Sequence, residues 1–183
     1  NTALMPLLTD YHEKLATNLK SLKISSPFYI MRSSGGLAQA EEISKQPITA
    51  ALSGPAAGVI AATHFGVLAE MPNLICFDVG GTSADICLVE QGKPRMLTEG
   101  RVDIYDVKTP MIDIHAVGAG GGSIAWLAGG RSLKVGPDSA GSSPGPACYG
   151  KGGTEPTVTD ANMVLGRLTS GLAGGDLALD PNL

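Results

Sequence analysis

The chain is 183 residues long, has a formal net charge of −4 and contains 25 glycines but few aromatic residues. Its lysines and arginines are scattered, which argues against a nucleic-acid surface, and no apolar run approaches the ~20 residues that a membrane-spanning helix needs. We therefore expect a single glycine-rich globular domain in the cytoplasm, with no nucleic acid and no membrane among its partners.

The first predicted element is an amphipathic helix over residues 3 to 21. Its apolar residues recur at the spacing of one helix face, at Leu4, Leu7, Leu8, Tyr11, Leu15 and Leu19. A buried strand over residues 28 to 31 is predicted next, ending in a Ser-Ser-Gly-Gly loop. Residues 1 to 50 are thus expected to form a lead-in of helix and strand.

A second helix is predicted from Ser53 to about Ala69, with Ser53 as its N-cap and Pro55 in its first turn. Three strands are predicted to follow, at residues 74 to 77, 86 to 89 and 95 to 98. The first is an uninterrupted apolar run, so we expect it to be covered on both faces. Residues 51 to 100 are therefore read as a helix plus a hairpin around a glycine turn.

Beyond Gly100 the chain alternates short β-like pieces with glycine loops. The predicted elements are a strand over 112 to 117, a glycine loop over 118 to 122, a short helix over 123 to 127, an ordered loop or flap over 134 to 156, and a final helix over 161 to 168. Thr159 and Asp160 are expected to cap the final helix.

The three cysteines predict neither a disulfide framework nor a zinc site, because their number is odd and no CxxC spacing occurs. Cys76 and Cys87 lie on predicted strands and are expected to be small core residues. Cys148 lies in a Pro/Gly loop with no evident general base beside it, so an unreactive thiol is favoured over a nucleophile.

The segment from Asp78 to Asp85 carries the strongest chemical signal. It places Gly80 and Gly81 between two predicted strands, followed by the hydroxyls of Thr82 and Ser83. A turn there exposes consecutive backbone N–H groups, which form a concavity suited to phosphate oxygens, and the hydroxyls add donors. A plain hairpin with glycines in its turn is the alternative.

Three titratable side chains are candidate catalytic residues: Asp78 and Asp85, which flank this turn, and His115, which lies just before the glycine loop at residues 118 to 122. Asp78 is suited to hold Mg²⁺ through water, because this ion keeps part of its hydration shell on nucleotide phosphates. Asp85 is suited to orient a water or to brace the turn. His115 is either a general acid or metal ligand, or a buried histidine bonded to the backbone; the two readings stay open.

The glycine loop at residues 118 to 122 invites a dinucleotide interpretation, since such a loop at the start of a helix receives pyrophosphate. The third glycine of that fingerprint would fall at Ser123, however, and no strand-end acid stands out about 20 residues further on. The dinucleotide interpretation is therefore not favoured.

Four segments closely resemble the family of hydantoinase A, 5-oxoprolinase and the acetone carboxylase β-subunit, within the actin-like ATPase superfamily. They are SGPAAGV at 53 to 59, FDVGGTSAD at 77 to 85, DIHAVGAGGGSIAW at 113 to 126 and VGPDSAGSSPGPACYGKGGTEPTVTDAN at 135 to 162. The first 50 residues contribute little to this resemblance.

The resemblance implies an α/β chain with a partial ribonuclease H-like (actin-like ATPase) fold, in which a mixed sheet carries a glycine-rich hairpin and flanking helices. It implies ATP and Mg²⁺ as cofactors. The implied phosphate contacts are Gly80, Gly81, Thr82 and Ser83, with Gly118, Gly120 and Gly121 close to the nucleotide and Asp78 on the magnesium side. We expect residues 1 to 183 to be one interior fragment that binds nucleotide weakly alone.

The reaction implied by the resemblance is the opening of a small cyclic amide or imide, activated by phosphorylation of its carbonyl oxygen. A hydantoinase B-type subunit or domain is the implied protein partner. Three alternatives stay open: a subunit of the acetone carboxylase type, a sugar or acid kinase of the same superfamily, and a non-catalytic assembly module.

Overall fold

The computed structural model describes residues 1–102, 104–169, 171–172 and 177–183, which form a mixed α/β structure. The chain divides into two compact units. The first comprises residues 1–76 and 87–114, and the second comprises residues 77–86 and 115–183. Among the described helices, none is both long and apolar enough to cross a membrane.

The first unit holds three α-helices, a 3₁₀ helix and several short strands. In chain order these are α1 (Met5–Ser21), β1 (Tyr29–Met31), β2 (Leu37–Gln39), α2 (Ala40–Lys45), the 3₁₀ helix (Pro47–Ala50), α3 (Ser53–Leu68), β5 (Lys93–Pro94), β6 (Met96–Leu97), β7 (Gly100–Val102), β8 (Tyr105–Val107) and β9 (Met111–Ile112). Strands β3 (Leu74–Val79) and β4 (Ala84–Glu90) contribute residues to both units.

The two long helices confirm the sequence predictions, with one difference at the start of α3. Leu52 is the N-cap of that helix, in a left-handed conformation with φ 58°, and no side chain caps the helix. Ser53 is already the first helical residue, so the predicted cap was wrong by one position. The chain bends through Leu52 instead, and the Ala56 amide donates to the Leu52 carbonyl over 3.1 Å.

The core of the first unit lies between α3 and strands β4 and β9. Its buried members are Ala56, Val59, Cys87, Val89 and Ile112, and Ile60, Leu74, Cys76 and Ile114 pack against them. The prediction that Cys76 and Cys87 serve as small core residues is therefore confirmed.

Strand β3 is covered on one face only, contrary to the sequence prediction. It lies at the edge of the β10-β4-β3 sheet, and the alternate residues Ile75, Phe77 and Val79 are 71%, 62% and 50% exposed. An uninterrupted apolar run shows that both faces of a strand are apolar, but it does not show which elements pack on each face. Here only the face bearing Leu74 and Cys76 packs on the core.

The second unit contains two β-hairpins, short helices and the end of the four-stranded sheet. Its elements are β10 (His115–Val117), β11 (Ser123–Ala128), β12 (Ser132–Ser139), a 3₁₀ helix (Ala147–Tyr149), α4 (Val158–Val164), β13 (Gly171–Leu172) and β14 (Leu177–Ala178). Strand β10 pairs antiparallel with β4, and β11 pairs with β12.

Three predictions for the second unit need correction. Residues 123 to 127 form strand β11 and not a helix, because cross-strand pairs such as Leu127 with Leu133 join them to β12. The first residues of the predicted flap, 134 to 139, therefore belong to strand β12. Helix α4 begins at Val158, and its cap is Thr157, which forms a capping box with Asp160.

Candidate functional site

The predicted phosphate-binding turn is a tight connection between β3 and β4. The Gly80 amide donates to the Ser83 carbonyl over 2.8 Å and closes the turn. Gly80, Gly81 and Thr82 are exposed, while Ser83 is half-buried. A Cβ atom added at Gly81 would meet nothing within 4 Å. The turn is therefore open to solvent at its tip.

Two hydrogen bonds from the 118–122 glycine loop fix the orientation of this turn. The Gly121 amide donates to the Gly80 carbonyl over 2.9 Å, and the Gly122 amide donates to the Gly81 carbonyl over 2.6 Å. In a planar trans peptide the carbonyl and the following N–H point in opposite directions. The amides of Gly81 and Thr82 therefore point away from the glycine loop.

The outward amides of Gly81 and Thr82 stay unused within the part of the chain that the structure describes. Every hydrogen bond assigned there to the Gly80–Ser83 turn either closes it or occupies its carbonyls. Two adjacent exposed N–H groups that have no acceptor within the protein can donate hydrogen bonds to an anionic oxygen. The turn thus presents two adjacent backbone donors to solvent.

Gly120 packs directly behind the turn. A Cβ atom at this position would lie 2.6 Å from the Ser83 nitrogen, 2.6 Å from the Thr82 carbonyl carbon and 2.7 Å from that of Gly81. Only a glycine allows the two backbones to approach so closely. The same contact covers the Ser83 amide, so its hydroxyl is the more available donor of that residue.

The backbone amides of Gly120 and Gly121, two of the residues predicted to lie close to the nucleotide, are occupied by hydrogen bonds within the chain. The Gly121 amide is occupied by the turn, and the Gly120 amide donates to Ser123 Oγ over 2.8 Å. Gly118 lies against Pro137, whose atoms would be 3.4 Å from an added Cβ. This loop supports the turn from behind, because the Gly121 and Gly122 amides donate to carbonyls of the turn and Gly120 packs against the turn's backbone.

The candidate carboxylates lie on one face of the sheet. Counting back along both strands from the Gly80–Ser83 hydrogen bond places Asp78 opposite Asp85. Asp78 is exposed and Asp85 is half-buried. Two facing carboxylates with free access to water suit Mg²⁺, which is bound through one or two carboxylates while keeping several waters. A closed cage of three or more His, Cys, Asp or Glu side chains is not found among the described residues.

His115 is separated from this pair by the alternation of the strands. In the β10–β4 register Ala116 pairs with Asp85, and His115 pairs with Ile86. Neighbouring residues of a strand point to opposite faces, so the His115 side chain lies on the other face of the sheet from Asp85. The structure brings the two aspartates together but does not add the histidine to them.

Sequence reasoning missed the role of Thr159, which it assigned only to a helix cap. Thr159 is 7% exposed, and both its amide and its Oγ1 donate to the Gly121 carbonyl over 2.8 Å. The distance of 38 residues between the two partners explains why no local pattern indicated this contact. The proximity of two glycine-rich motifs could not be deduced from either motif alone.

Cys148 is expected to be unreactive towards alkylating agents. It is 3% exposed, and its amide donates to Asp160 Oδ1 over 2.9 Å. Burial, together with the neighbouring Asp160 carboxylate, raises the pKa of its thiol to about 11. Because only the thiolate is nucleophilic, about one molecule in a thousand is reactive at pH 8. Peptide mass spectrometry after iodoacetamide treatment should find Cys148 modified in guanidinium but hardly in native protein; equal rates would contradict this.

Comparisons of this sequence with known proteins find similarity along nearly the whole chain. The sequence profile of the hydantoinase/oxoprolinase family matches residues 1–183. Caprolactamase subunit alpha of Pseudomonas jessenii is 42% identical over 185 residues, covering 98% of this chain and 26% of that protein. The chain spans between about a tenth and three tenths of the length of the curated relatives it matches.

Two solved structures are similar in fold and in sequence. The nucleotide-free structure of acetone carboxylase has a TM-score of 0.77 and 32% identity, covering 93% of this chain and 24% of that one. The crystal structure of ATP-dependent caprolactamase from Pseudomonas jessenii has a TM-score of 0.72 and 39% identity, covering 98% and 26%. Since the family profile matches every residue, the chain belongs to the hydantoinase/oxoprolinase family.

Proposed function

We propose that this chain supplies a phosphate-binding turn to a longer ATP-dependent enzyme that opens cyclic amides. The observation that carries the proposal is the outward orientation of the Gly81 and Thr82 amides at an exposed turn. Adjacent N–H groups of this kind make charge-assisted hydrogen bonds to phosphate oxygens. Both solved relatives are named for ATP-dependent reactions, which supports ATP as the source of that phosphate.

We place the chain in the ribonuclease H-like fold of the actin-like ATPases. In this proposal the chain has three parts. A lead-in of helix and strand occupies residues 1–50, α3 and the hairpin occupy residues 51–100, and the supporting loops occupy residues 101–183. Two lobes close around the nucleotide in that superfamily, so a second glycine hairpin would grip the phosphates from elsewhere in the longer protein. The chain's share of its relatives' length supports this division.

Asp78 would hold Mg²⁺ through water, with Asp85 orienting a water or bracing the turn. When bound, the metal would neutralise charge on the phosphates during transfer. The two facing carboxylates and their access to solvent support this assignment. His115 lies on the other face of the sheet, so any acid or metal role for it would be separate from the Asp78 site.

The proposed reaction overcomes the low reactivity of an amide carbonyl. Transfer of the γ-phosphoryl group from ATP to the carbonyl oxygen releases ADP and gives an O-phosphorylated imidate; water adds at its carbon, the ring C–N bond breaks as the protonated nitrogen leaves, and a second water hydrolyses the resulting acyl phosphate to the acid and inorganic phosphate. The Gly81 and Thr82 amides would stabilise charge on the phosphoryl oxygens as it develops. A hydantoinase B-type subunit or domain is the partner we propose to supply the remaining groups.

ATP-dependent carboxylation is a second candidate, favoured by the similarity to acetone carboxylase. In a carboxylase, phosphorylation would likewise activate an oxygen atom, here that of an enolate or of bicarbonate. Product analysis separates the candidates, because a lactam or hydantoin yields a ring-opened acid without added carbon. A labelled bicarbonate carbon retained in the product would favour carboxylation.

Substitution of Gly81 tests the proposed phosphate contact. In the longer protein, Gly81→Val is expected to weaken Mg-ATP binding ~100-fold, because the side chain occupies the space in front of the outward amides and about two charge-assisted hydrogen bonds are lost. The fold should persist, since an added Cβ at Gly81 meets nothing within 4 Å. Calorimetric titration measures the affinity.

Gly36→Val is the matched control for this test. Gly36 is an exposed hairpin glycine whose added Cβ also meets nothing within 4 Å, and it has no place in the proposed site. Its substitution should leave Mg-ATP affinity within twofold. Unchanged affinity in Gly81→Val, with wild-type protein binding normally, would refute the turn as the phosphate site.

A further inference from the structure

We infer that Thr159 is a positioning residue that orients and polarises the Thr82 amide through a relay of peptide groups. This inference rests on the proposed function, because it assigns to Thr159 a role in nucleotide affinity. Thr159 itself touches neither the turn's exposed tip nor the space in front of it; it acts through the Gly121–Gly122 peptide.

The relay consists of two peptide groups in series. The Thr159 amide and Oγ1 both donate to the Gly121 carbonyl over 2.8 Å. The N–H of the same peptide group, on Gly122, donates to the Gly81 carbonyl over 2.6 Å. The opposite end of that second peptide group is the outward Thr82 N–H. Thr159 is therefore the distal donor of a hydrogen-bonded chain that ends at the predicted phosphate contact.

A parallel relay ends at the neighbouring amide. The Ser123 amide donates to the Gly120 carbonyl over 3.1 Å, and the Gly121 amide donates to the Gly80 carbonyl over 2.9 Å. The Gly81 N–H is the free end of this series. Both outward amides thus have a hydrogen-bonded peptide behind them, but only the Thr82 series begins at a side chain that can be altered without changing the backbone.

Hydrogen bonds in series polarise one another, so a donor at one end makes the N–H at the other end a stronger donor. Two bonds to one carbonyl also restrict the tilt of the Gly121–Gly122 peptide. Loss of the Thr159 hydroxyl would relax that tilt and weaken the polarisation, while the Thr159 backbone bond stays in place. The expected consequence is weaker phosphate binding with an intact fold.

The position of Thr159 is itself fixed by the first turn of α4. The Thr157 amide donates to Asp160 Oδ2 over 2.9 Å and the Asp160 amide donates to Thr157 Oγ1 over 3.2 Å, which together form the capping box; the Thr157 hydroxyl also donates to Asp160 Oδ2 over 2.7 Å. Burial alone would raise the pKa of Asp160, but hydrogen bonds from Cys148 and Thr157 outweigh burial and lower it. The carboxylate therefore stays charged and keeps this turn of the helix in place.

The test compares three variants of the longer protein by Mg-ATP titration. Thr159→Val should weaken affinity ~5-fold, the value of one net hydrogen bond, and Thr159→Ser should restore it to within twofold of wild type. The matched control is Thr63→Val, which also removes a hydroxyl-to-carbonyl bond, from Thr63 Oγ1 to the Val59 carbonyl over 2.7 Å. It should leave affinity within twofold of wild type.

Thermal unfolding separates positioning from general destabilisation. Titrations are made well below the unfolding midpoint of each variant, and Thr159→Ala replaces Thr159→Val should the latter not fold. Wild-type affinity in the hydroxyl-free variant that is titrated, or a failure of Thr159→Ser to restore binding, would overturn the inference. Absence of Mg-ATP binding in wild-type protein would instead refute the proposed function on which the inference rests.

Discussion

Gly120→Ala is expected to reduce Mg-ATP affinity of the longer protein at least ~100-fold, because both outward amides lose their alignment and each charge-assisted hydrogen bond contributes about 1.5–3 kcal/mol. The new methyl group would lie 2.6 Å from the Ser83 nitrogen and the Thr82 carbonyl carbon. These atoms belong to backbone, which cannot swing aside as the end of a side chain can. The turn must therefore move away from the glycine loop.

Movement of the turn breaks the two bonds that set its orientation. The Gly121 and Gly122 amides can no longer reach the Gly80 and Gly81 carbonyls at 2.9 and 2.6 Å. The loss of binding thus arises at a residue whose own amide does not face the ligand. Calorimetric titration measures this effect, and circular dichroism reports whether the fold persists.

The control for Gly120→Ala is the same substitution at a glycine with free space around it. Gly36→Ala adds a methyl group that meets nothing within 4 Å, so its affinity should match wild type. Affinity of Gly120→Ala within twofold of wild type would show that the turn tolerates displacement and that amide alignment does not determine binding.

The contrast between Gly81 and Gly120 indicates what sequence alone can predict here. Both lie in glycine-rich motifs, and the sequence predicts that both lie at the nucleotide, Gly81 as a phosphate contact and Gly120 in a loop close to it. The structure gives them different environments: open space at Gly81 and close backbone contact at Gly120. A glycine motif shows that the backbone needs room, but not whether a ligand or another strand occupies that room.

Local patterns predicted the helices better than the second unit. The spacing of apolar residues located α1, and the run from Ala56 onward located α3, because both signals lie within a few turns of helix. The Ser123–Ala128 segment was misassigned, since its strand character depends on pairing with Ser132–Ser139. Pairing between separate segments is information that a window of residues does not contain.

The exposed face of β3 illustrates the same limit for burial. Hydrophobic composition correctly indicated a strand that is apolar on both sides, yet Ile75 and Phe77 are exposed in the chain as described. Composition shows which faces of a strand are apolar, but it does not show which element covers each face.

Asp78→Asn is expected to lower Mg²⁺-dependent ATP turnover of the longer protein ~1,000-fold, because loss of the carboxylate weakens the hold on the Mg²⁺ ion that stabilises the developing negative charge. The amide keeps the shape of the carboxylate, so the strand end and the adjacent turn should remain in place. The half-saturating Mg²⁺ concentration should rise, because an uncharged ligand holds the ion's hydration shell less tightly. Turnover is followed by phosphate release across a Mg²⁺ series.

Asp85→Asn provides the comparison that shows which of the two facing carboxylates holds the Mg²⁺ ion. Asp85 faces Asp78 across the hairpin but is half-buried, so we expect a smaller loss of turnover and little change in the Mg²⁺ requirement. Asp106→Asn, at an exposed aspartate of β8, should change neither quantity. Because the facing carboxylates repel each other, removing one also relieves an unfavourable interaction, which affects both variants equally. Only a metal ion held by Asp78 through its water shell predicts that the Mg²⁺ requirement shifts in Asp78→Asn alone; an equal shift in both variants, or none in either, would contradict this assignment.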